Sequence, residues 1–229
     1  MNSIFYFGQD LNIEVLKLLE STFPNQKIKK LTNIKELHFT LIKNDKVIIF
    51  FDTLPSYQHT LWFWVYKYYP FTPSICIHPG FHPIDFTLSN YFNHMTLLSS
   101  PITKNKLKRT INTTINNIEL CKKKNLNKKP QIYNNKELTI DKFITSINEQ
   151  SRVRLLDSDL TRLQKKIIND TIAGVNINLL HKVNRVPSYR INKAVADLKL
   201  KLGINFSENL FFAIQIGSNS MKNTLSIPT

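Results

Sequence analysis

A run of five apolar residues, Val47-Ile48-Ile49-Phe50-Phe51, bounded by Asp45 and Asp52, constrains this chain more than any other feature. An amphipathic helix or a half-exposed strand would interrupt such a run with polar residues at a period of 3.6 or 2. A continuous run this short reads as a strand covered on both faces. Strands of that kind belong to parallel sheets with helices packed above and below.

The flanking sequence supplies the rest of such a sheet. Ile4–Phe7 reads as a strand and is followed by a helical pattern through Ile13, Leu16 and Leu19. A weaker strand near Lys27–Leu31 leads to a helix near Ile34–Ile42. After the central run come a helix over Tyr57–Tyr68, a strand at Ser74–Ile77 closed by Pro79-Gly80, and a helix over Pro83–Phe92. Met95–Leu98 is a fifth strand, and a basic amphipathic helix runs from about Thr103 to Cys121. Strands alternating with helices predict an α/β, doubly wound, receiver-like domain of five parallel strands over residues 1–121. Most of the 15 Phe, 8 Tyr and 2 Trp lie before residue 95, which places the better-packed core in this half.

The character of the chain then changes. Lys122–Glu137 is polar, basic and interrupted by Pro130, so residues 122–150 read as a basic linker, with a helix at Ile140–Asn148 that either belongs to it or leads onward. Residues 151–217 carry helical periodicity alone and predict an all-α tetrahelical domain. Residues 218–229 show no periodicity and read as a disordered tail.

The formal net charge is +15, unevenly spread: 12 Lys/Arg against 8 acids in 1–121, 7 against 3 in 122–150, and 11 against 5 in 151–217. Such a field attracts polyanions, nucleic acid first. A lysine-rich composition without any such partner would give the same count. Cys76 and Cys121 lie far apart with no metal-ligand spacing, and His78, His82 and His94 fit no metal motif, so neither a metal nor another cofactor is expected. The start MNSIFYFGQD lacks the features of a signal peptide, and the apolar stretch from Thr60 to Tyr69 is too short to span a bilayer. These features predict a soluble cytoplasmic protein. No nucleophile–base pair or phosphate-cradling glycine loop points to an enzyme.

The last third carries the functional signal. Leu163, Ile167 and Ile168 form one helical face ending at Ala173-Gly174. A short helix at Ile177–Val183, a turn at Asn184–Pro187 and a longer helix from Ser188 to Gly203 follow. A last helix is expected over Ser207–Gln215, capped by Ser207. Two short helices joined by a tight turn, the second exposing Tyr189, Arg190, Asn192 and Lys193, suit a reader of the DNA major groove.

Over about 58 residues this stretch resembles, without gaps, the LuxR-type helix-turn-helix of the FixJ/NarL class of response regulators. Leu160-Thr161 stands at that family's opening LT, Ile167-Ile168 at its VL pair, and Gly174 at its inter-helix glycine. Leu180 matches the isoleucine of its EIA segment, Ile191 the valine of its TV pair, and Lys201-Leu202-Gly203-Ile204 its KLGV signature. Ala213 and Gly217 continue as its fourth helix does. Gln164, Lys166, Asp170, His181, Asn184 and Pro187 depart from the pattern. The resemblance implies base reading by Asn192, Lys193 and Ala196, with Ser188, Tyr189, Arg190 and Lys199 placed for backbone or flanking contacts. A solvated helix surface is the plainer reading of each residue taken alone.

The first 121 residues likewise resemble a response-regulator receiver. Asp52 stands where that family's phospho-acceptor sits, Pro55 lies nearby, and Pro101 matches the proline after the fifth strand. The family's acid pair after the first strand is replaced by Gly8 and Gln9, with Asp10 one step late, and its lysine before the proline by Ser100. Without those carboxylates a Mg²⁺ site is poorly supplied. The resemblance therefore implies an atypical response regulator: a pseudo-receiver that controls transcription without phosphorylation, binding duplex DNA as a homodimer, with a protein partner as a further source of control. Two readings stay open beside it: a regulator switched by phosphorylation at Asp52, and a protein-interaction module that has lost DNA binding.

Overall fold

The computed structural model describes residues 3–8, 13–44, 47–92, 94–126 and 138–217. Gln9, Asp10, residues 127–137 of the basic segment and the tail from 218 lie outside the described residues.

Five parallel strands, β1 (Ser3–Phe7), β2 (Lys29–Leu31), β3 (Val47–Phe51), β4 (Ser74–His78) and β5 (Met95–Ser99), form one sheet in the order β2-β1-β3-β4-β5. The alternation of side chains along each strand divides the core in two. Phe5, Phe7, Val47, Ile49, Phe51 and Cys76 face helices α2 (Ile34–Lys43), α3 (His59–Tyr68) and α4 (Pro83–Tyr91). Ile4, Tyr6, Ile48, Phe50, Ile75 and Ile77 face α1 (Ile13–Thr22) and α5 (Lys104–Leu126). Both faces of β3 are thus covered, which is why its sequence can be apolar throughout. Each such side chain contributes about 1.5–3 kcal/mol on burial. The strand order changes direction between β1 and β3. The carboxyl ends of these two strands, with Gly8 and Asp52 just beyond them, flank the crevice where sheets of this kind place their ligands.

The C-terminal part is helical: α6 (Ile140–Leu156), α7 (Arg162–Ile172), α8 (Leu180–Asn184), α9 (Ser188–Lys201) and α10 (Leu210–Ile214). The predicted α/β and all-α architectures are both present. Leu155, Ile167, Ile168, Leu180, Ile191, Val195, Leu198, Leu210 and Ile214 share one core. Helix α6 serves two cores. Its first half buries Phe143, Ile144 and Ile147 against the α3–α4 side of the sheet, while Leu155 joins the helical core. Thr139 caps it through its side chain, and the helix runs past Asn148 without a break.

The last helix is shorter than expected. It starts after Asn209, whose side chain accepts from the Phe211 N–H, and not at Ser207. Ser207 is held instead in a local turn, its N–H and hydroxyl both donating to the Asn205 carboxamide oxygen, and the Glu208 carboxylate accepts the Asn205 N–H and meets the His82 ring. The segment before α3 also differs, with a 3-10 turn over Pro55–Gln58 preceding the α-helix. Among the described residues no helix is long and apolar enough to cross a membrane.

Candidate nucleic-acid interface

The helix-turn-helix is built from α7, α8 and α9. Thr161 opens α7 with a reciprocal cap: the Gln164 N–H donates to Thr161 Oγ1 at 3.2 Å, and the Thr161 N–H to Gln164 Oε1 at 3.0 Å. Gln164, a departure from the family pattern, therefore does the job of an acid at this position. Gly174, with φ +83°, ends the helical segment in the left-handed region that suits glycine.

Two further departures explain each other. Asn184 Nδ2 donates to Asp170 Oδ2 at 2.7 Å and to the Leu180 carbonyl at 2.8 Å. Asp170 on α7 and Asn184 at the end of α8 thus replace an apolar contact with a hydrogen-bonded one. Arg185 then takes φ +53° and turns the chain, and Pro187 stands immediately before α9.

Helix α9 buries Ile191, Val195 and Leu198 and leaves Ser188, Tyr189, Arg190, Asn192 and Lys193 exposed, with Ala196 partly so. Tyr189, Asn192, Lys193 and Ala196 share one face at helical spacing. Tyr189 is 67% exposed. Lys182 and Arg185, also exposed, add positive charge at the turn, while Asp197 is the one acid of α9. No side chain caps α9, so its leading N–H groups add a positive dipole end to this surface.

Lys199 departs from its expected role. It is 9% exposed, and its ammonium donates to the carbonyls of Phe206 at 2.8 Å and Glu208 at 2.5 Å, so it fastens the 205–208 turn to α9. A flexible four-carbon stem lets a lysine on this helix fold back to nearby carbonyls, a choice that periodicity cannot register.

At the end of β3 the Tyr6 hydroxyl donates to Asp52 Oδ2. A Cβ on Gly8 would lie 2.6 Å from Asp52 Oδ1 and 2.8 Å from Oδ2. The aspartate's own carboxylate therefore fills the space that a side chain at position 8 would need. The residues described here do not fit a Mg²⁺ ion: Asp52 is a lone carboxylate already engaged by a phenol, and no group of three or more His, Cys, Asp or Glu side chains gathers among them. Ser100 follows β5, its N–H donating to the His78 carbonyl, and precedes a cis peptide to Pro101.

The histidines serve separate surroundings. His78 Nδ1 is 2.5 Å from the Gly80 carbonyl, and His82 meets Glu208. His94, 1% exposed, lies among the rings of Trp62, Tyr66 and Phe92. Trp62 and Trp64 are core residues, 0% and 2% exposed. Asp85 was not singled out by the sequence reading. It is fully buried and accepts the Ser56 and His82 N–H groups, each at 2.8 Å. Burial pushes its carboxyl up, and the Ser56 and His82 hydrogen bonds oppose the shift. The acid three residues after His82, with Pro83 between them at a helix start, is a capping pattern that could have flagged it.

No family model and no curated protein matches the chain. Among solved structures it is similar to full-length FixJ from B. japonicum, at 13% identity and TM-score 0.39 over 89% of this chain and 91% of that one. It is also similar to the RcsB response regulator of Salmonella typhimurium, at 13% identity and TM-score 0.39, over 93% and 97% of the two chains. RcsB of Salmonella enterica serovar Typhimurium bound to promoter rprA in the presence of phosphomimetic BeF3- matches at 14% identity and TM-score 0.39, over 93% and 98%.

Proposed function

We propose that the chain is a cytoplasmic DNA-binding transcription regulator whose α9 enters the major groove of a duplex, and that it works as a homodimer without phosphorylation at Asp52. In this reading residues 1–121 act as a pseudo-receiver and residues 151–217 as the DNA-binding unit, joined through 122–150. The observation that carries the proposal is the division of α9 into a buried face of Ile191, Val195 and Leu198 and an open face of Tyr189, Asn192, Lys193 and Ala196. Asn192 and Lys193 supply donors for base edges, Ala196 a methyl contact, and Ser188 and Arg190 donors for phosphates. Lys199 is omitted from the proposed contacts.

Selection from random duplexes followed by fluorescence anisotropy tests this. Affinity is expected to fall as salt rises, with a slope of about 0.9 per phosphate contacted. Lys193→Glu is expected to weaken binding about tenfold or more at 0.1 M salt. Retention of full affinity by Lys193→Glu and by Arg190→Glu would remove α9 from the interface.

The phosphorylation-independent part has its own support in the Tyr6–Asp52 contact and in the absence of room at Gly8. Incubated with acetyl phosphate and Mg²⁺, the protein is expected to show no phosphoryl adduct by intact mass. A stoichiometric adduct that disappears in Asp52→Ala would favour the phosphorylation-responsive reading instead.

A further inference from the structure

Helix α5 covers the face of the sheet opposite to the one on which α6 docks. Leu107 and Ile111 join the core beneath it. One flank of the helix, together with Thr96 of the edge strand β5, forms an open groove of about 520 Å³. Lys106, Thr110, Thr113 and Asn117 follow one another at helical spacing along its wall, with Asn105 and Arg109 beside them. The floor is closed on itself. Thr114 donates to the Thr110 carbonyl at 2.8 Å, which spends its one hydroxyl hydrogen, so Thr96 is the donor in the 2.8 Å contact between the two threonines.

The lining has one chemical character. Every side chain in it is a hydroxyl, a carboxamide or a cation, with no acid and no aromatic ring among the described residues. Lys106 and Arg109 are exposed and form no ion pair among those residues. Glu119, the one acid of α5, lies outside the groove. The first turn of the helix also lacks an acid, so its positive dipole end adds to the field of the two cations. Hydroxyls, amides and cations are the side chains that meet phosphate oxygens in complexes with DNA.

The dimensions select among anions. From Asn105 to Asn117 the wall is about 18 Å long. One strand of a duplex presents a phosphate about every 3.4 Å of axis, so a backbone laid along the wall offers about five. A single nucleotide leaves most of that length empty, and its base finds no ring on which to stack. Unpaired strands need such rings as well. A second copy seated through the same groove would set Lys106 and Arg109 against their own counterparts. The backbone of a duplex fits the length and the charge together.

We propose that the α5–β5 groove is a second duplex-binding surface, which holds one phosphate backbone without reading its sequence. It acts independently of α9 and holds whether or not that helix meets DNA.

Binding of a labelled duplex of random sequence tests the groove, measured on the full chain in an Arg190→Glu/Lys193→Glu background so that α9 adds nothing to the signal. A salt slope of about two is expected, one for each cation. Adding Lys106→Glu and Arg109→Glu is expected to weaken binding about tenfold or more at about 0.1 M salt and to remove most of that slope. Adding Lys104→Glu and Lys108→Glu instead makes the same change in net charge on the same helix, at exposed residues that do not line the groove. That control is expected to change affinity less than about threefold. No duplex binding in the background, or equal losses in the groove and control variants, would overturn the proposal. Tighter binding of polyglutamate than of the duplex, lost in the groove variant, would assign the groove to an acidic protein segment and overturn it equally. Should circular dichroism show that the glutamate pair is unfolded, Lys106→Gln with Arg109→Gln decides by the same comparison. The α9 reading is judged separately, by Lys193→Glu in the otherwise unaltered chain, so either surface can fail without the other.

Discussion

Acidification from pH 6.5 is expected to destabilise this protein by about 1.4 kcal/mol per pH unit through His94 alone. Complete burial among aromatic rings, with no hydrogen-bond partner at either ring nitrogen among the described residues, pushes the His94 imidazole down from 6.5 to about 3. The unfolded chain takes up a proton near pH 6.5 and the folded chain does not until near pH 3. The stability contributed by the neutral ring is therefore complete above 6.5, is lost progressively as pH falls through this window, and totals on the order of 5 kcal/mol. His59, whose imidazole is lowered by burial against a weaker opposing contact with the Ser56 carbonyl, acts in the same direction. Asp85, raised by burial, acts in the opposite direction in the carboxylate range. A His94→Leu variant separates these contributions. Urea unfolding at pH 7 and pH 4.5 is expected to show the wild type losing about 2.7 kcal/mol more than the variant between the two. Parallel pH dependence in the two proteins would refute the assignment to His94.

Phe143→Ala is expected to cost about 3–5 kcal/mol and to release the first half of α6 from the sheet. Phe143 is 0% exposed and stacks on Phe92 at 5.4 Å, with Tyr91 and Phe63 at 5.5 and 5.2 Å. Truncation leaves a cavity bounded by three aromatic rings, Phe63 of α3, Tyr91 of α4 and Phe92 just after it, and rigid rings collapse poorly into such a space. Urea midpoints measure the loss, and limited proteolysis within 140–150 reports the release. Phe212→Ala, at a ring 52% exposed, is the control and is expected to change stability by less than about 0.5 kcal/mol. A loss in Phe143→Ala no larger than in the control would mean that α6 does not rely on this contact.

The sheet was legible because its strands announce themselves locally. Val47–Phe51 needs apolar residues on both faces, and a parallel strand in the middle of a sheet is the element that supplies them. The helix-turn-helix was legible for a similar reason: Gly174 and Gly203 mark helix ends by their left-handed backbone, and the Ile191, Val195 and Leu198 spacing marks the buried face of α9. Helix α6 was legible as a helix but not in its docking. The apolar stripe of Phe143, Ile144 and Ile147 states that something covers it and does not state what.

The start of α10 was misjudged at Ser207 because a serine followed by an acid resembles a cap, and only the folded turn shows Asn205 claiming Ser207 and His82 claiming Glu208. Lys199 shows the same limit. Its place on the α9 surface follows from periodicity, but its long stem chooses between solvent and the Phe206 and Glu208 carbonyls only once those carbonyls are nearby.

What the amino-acid sequence determined alone is thus the set of elements, the buried face of each and the class of fold, since these rest on propensity and on periods of two and 3.6 residues. The tertiary structure alone decided that Asp170 answers Asn184, that Asp52 occupies the space beside Gly8, and that His82, just before α4, meets Glu208, 126 residues away in the chain. Directional contacts between polar groups depend on separations of a few ångströms across elements, and those separations exist only after the hydrophobic layers have packed.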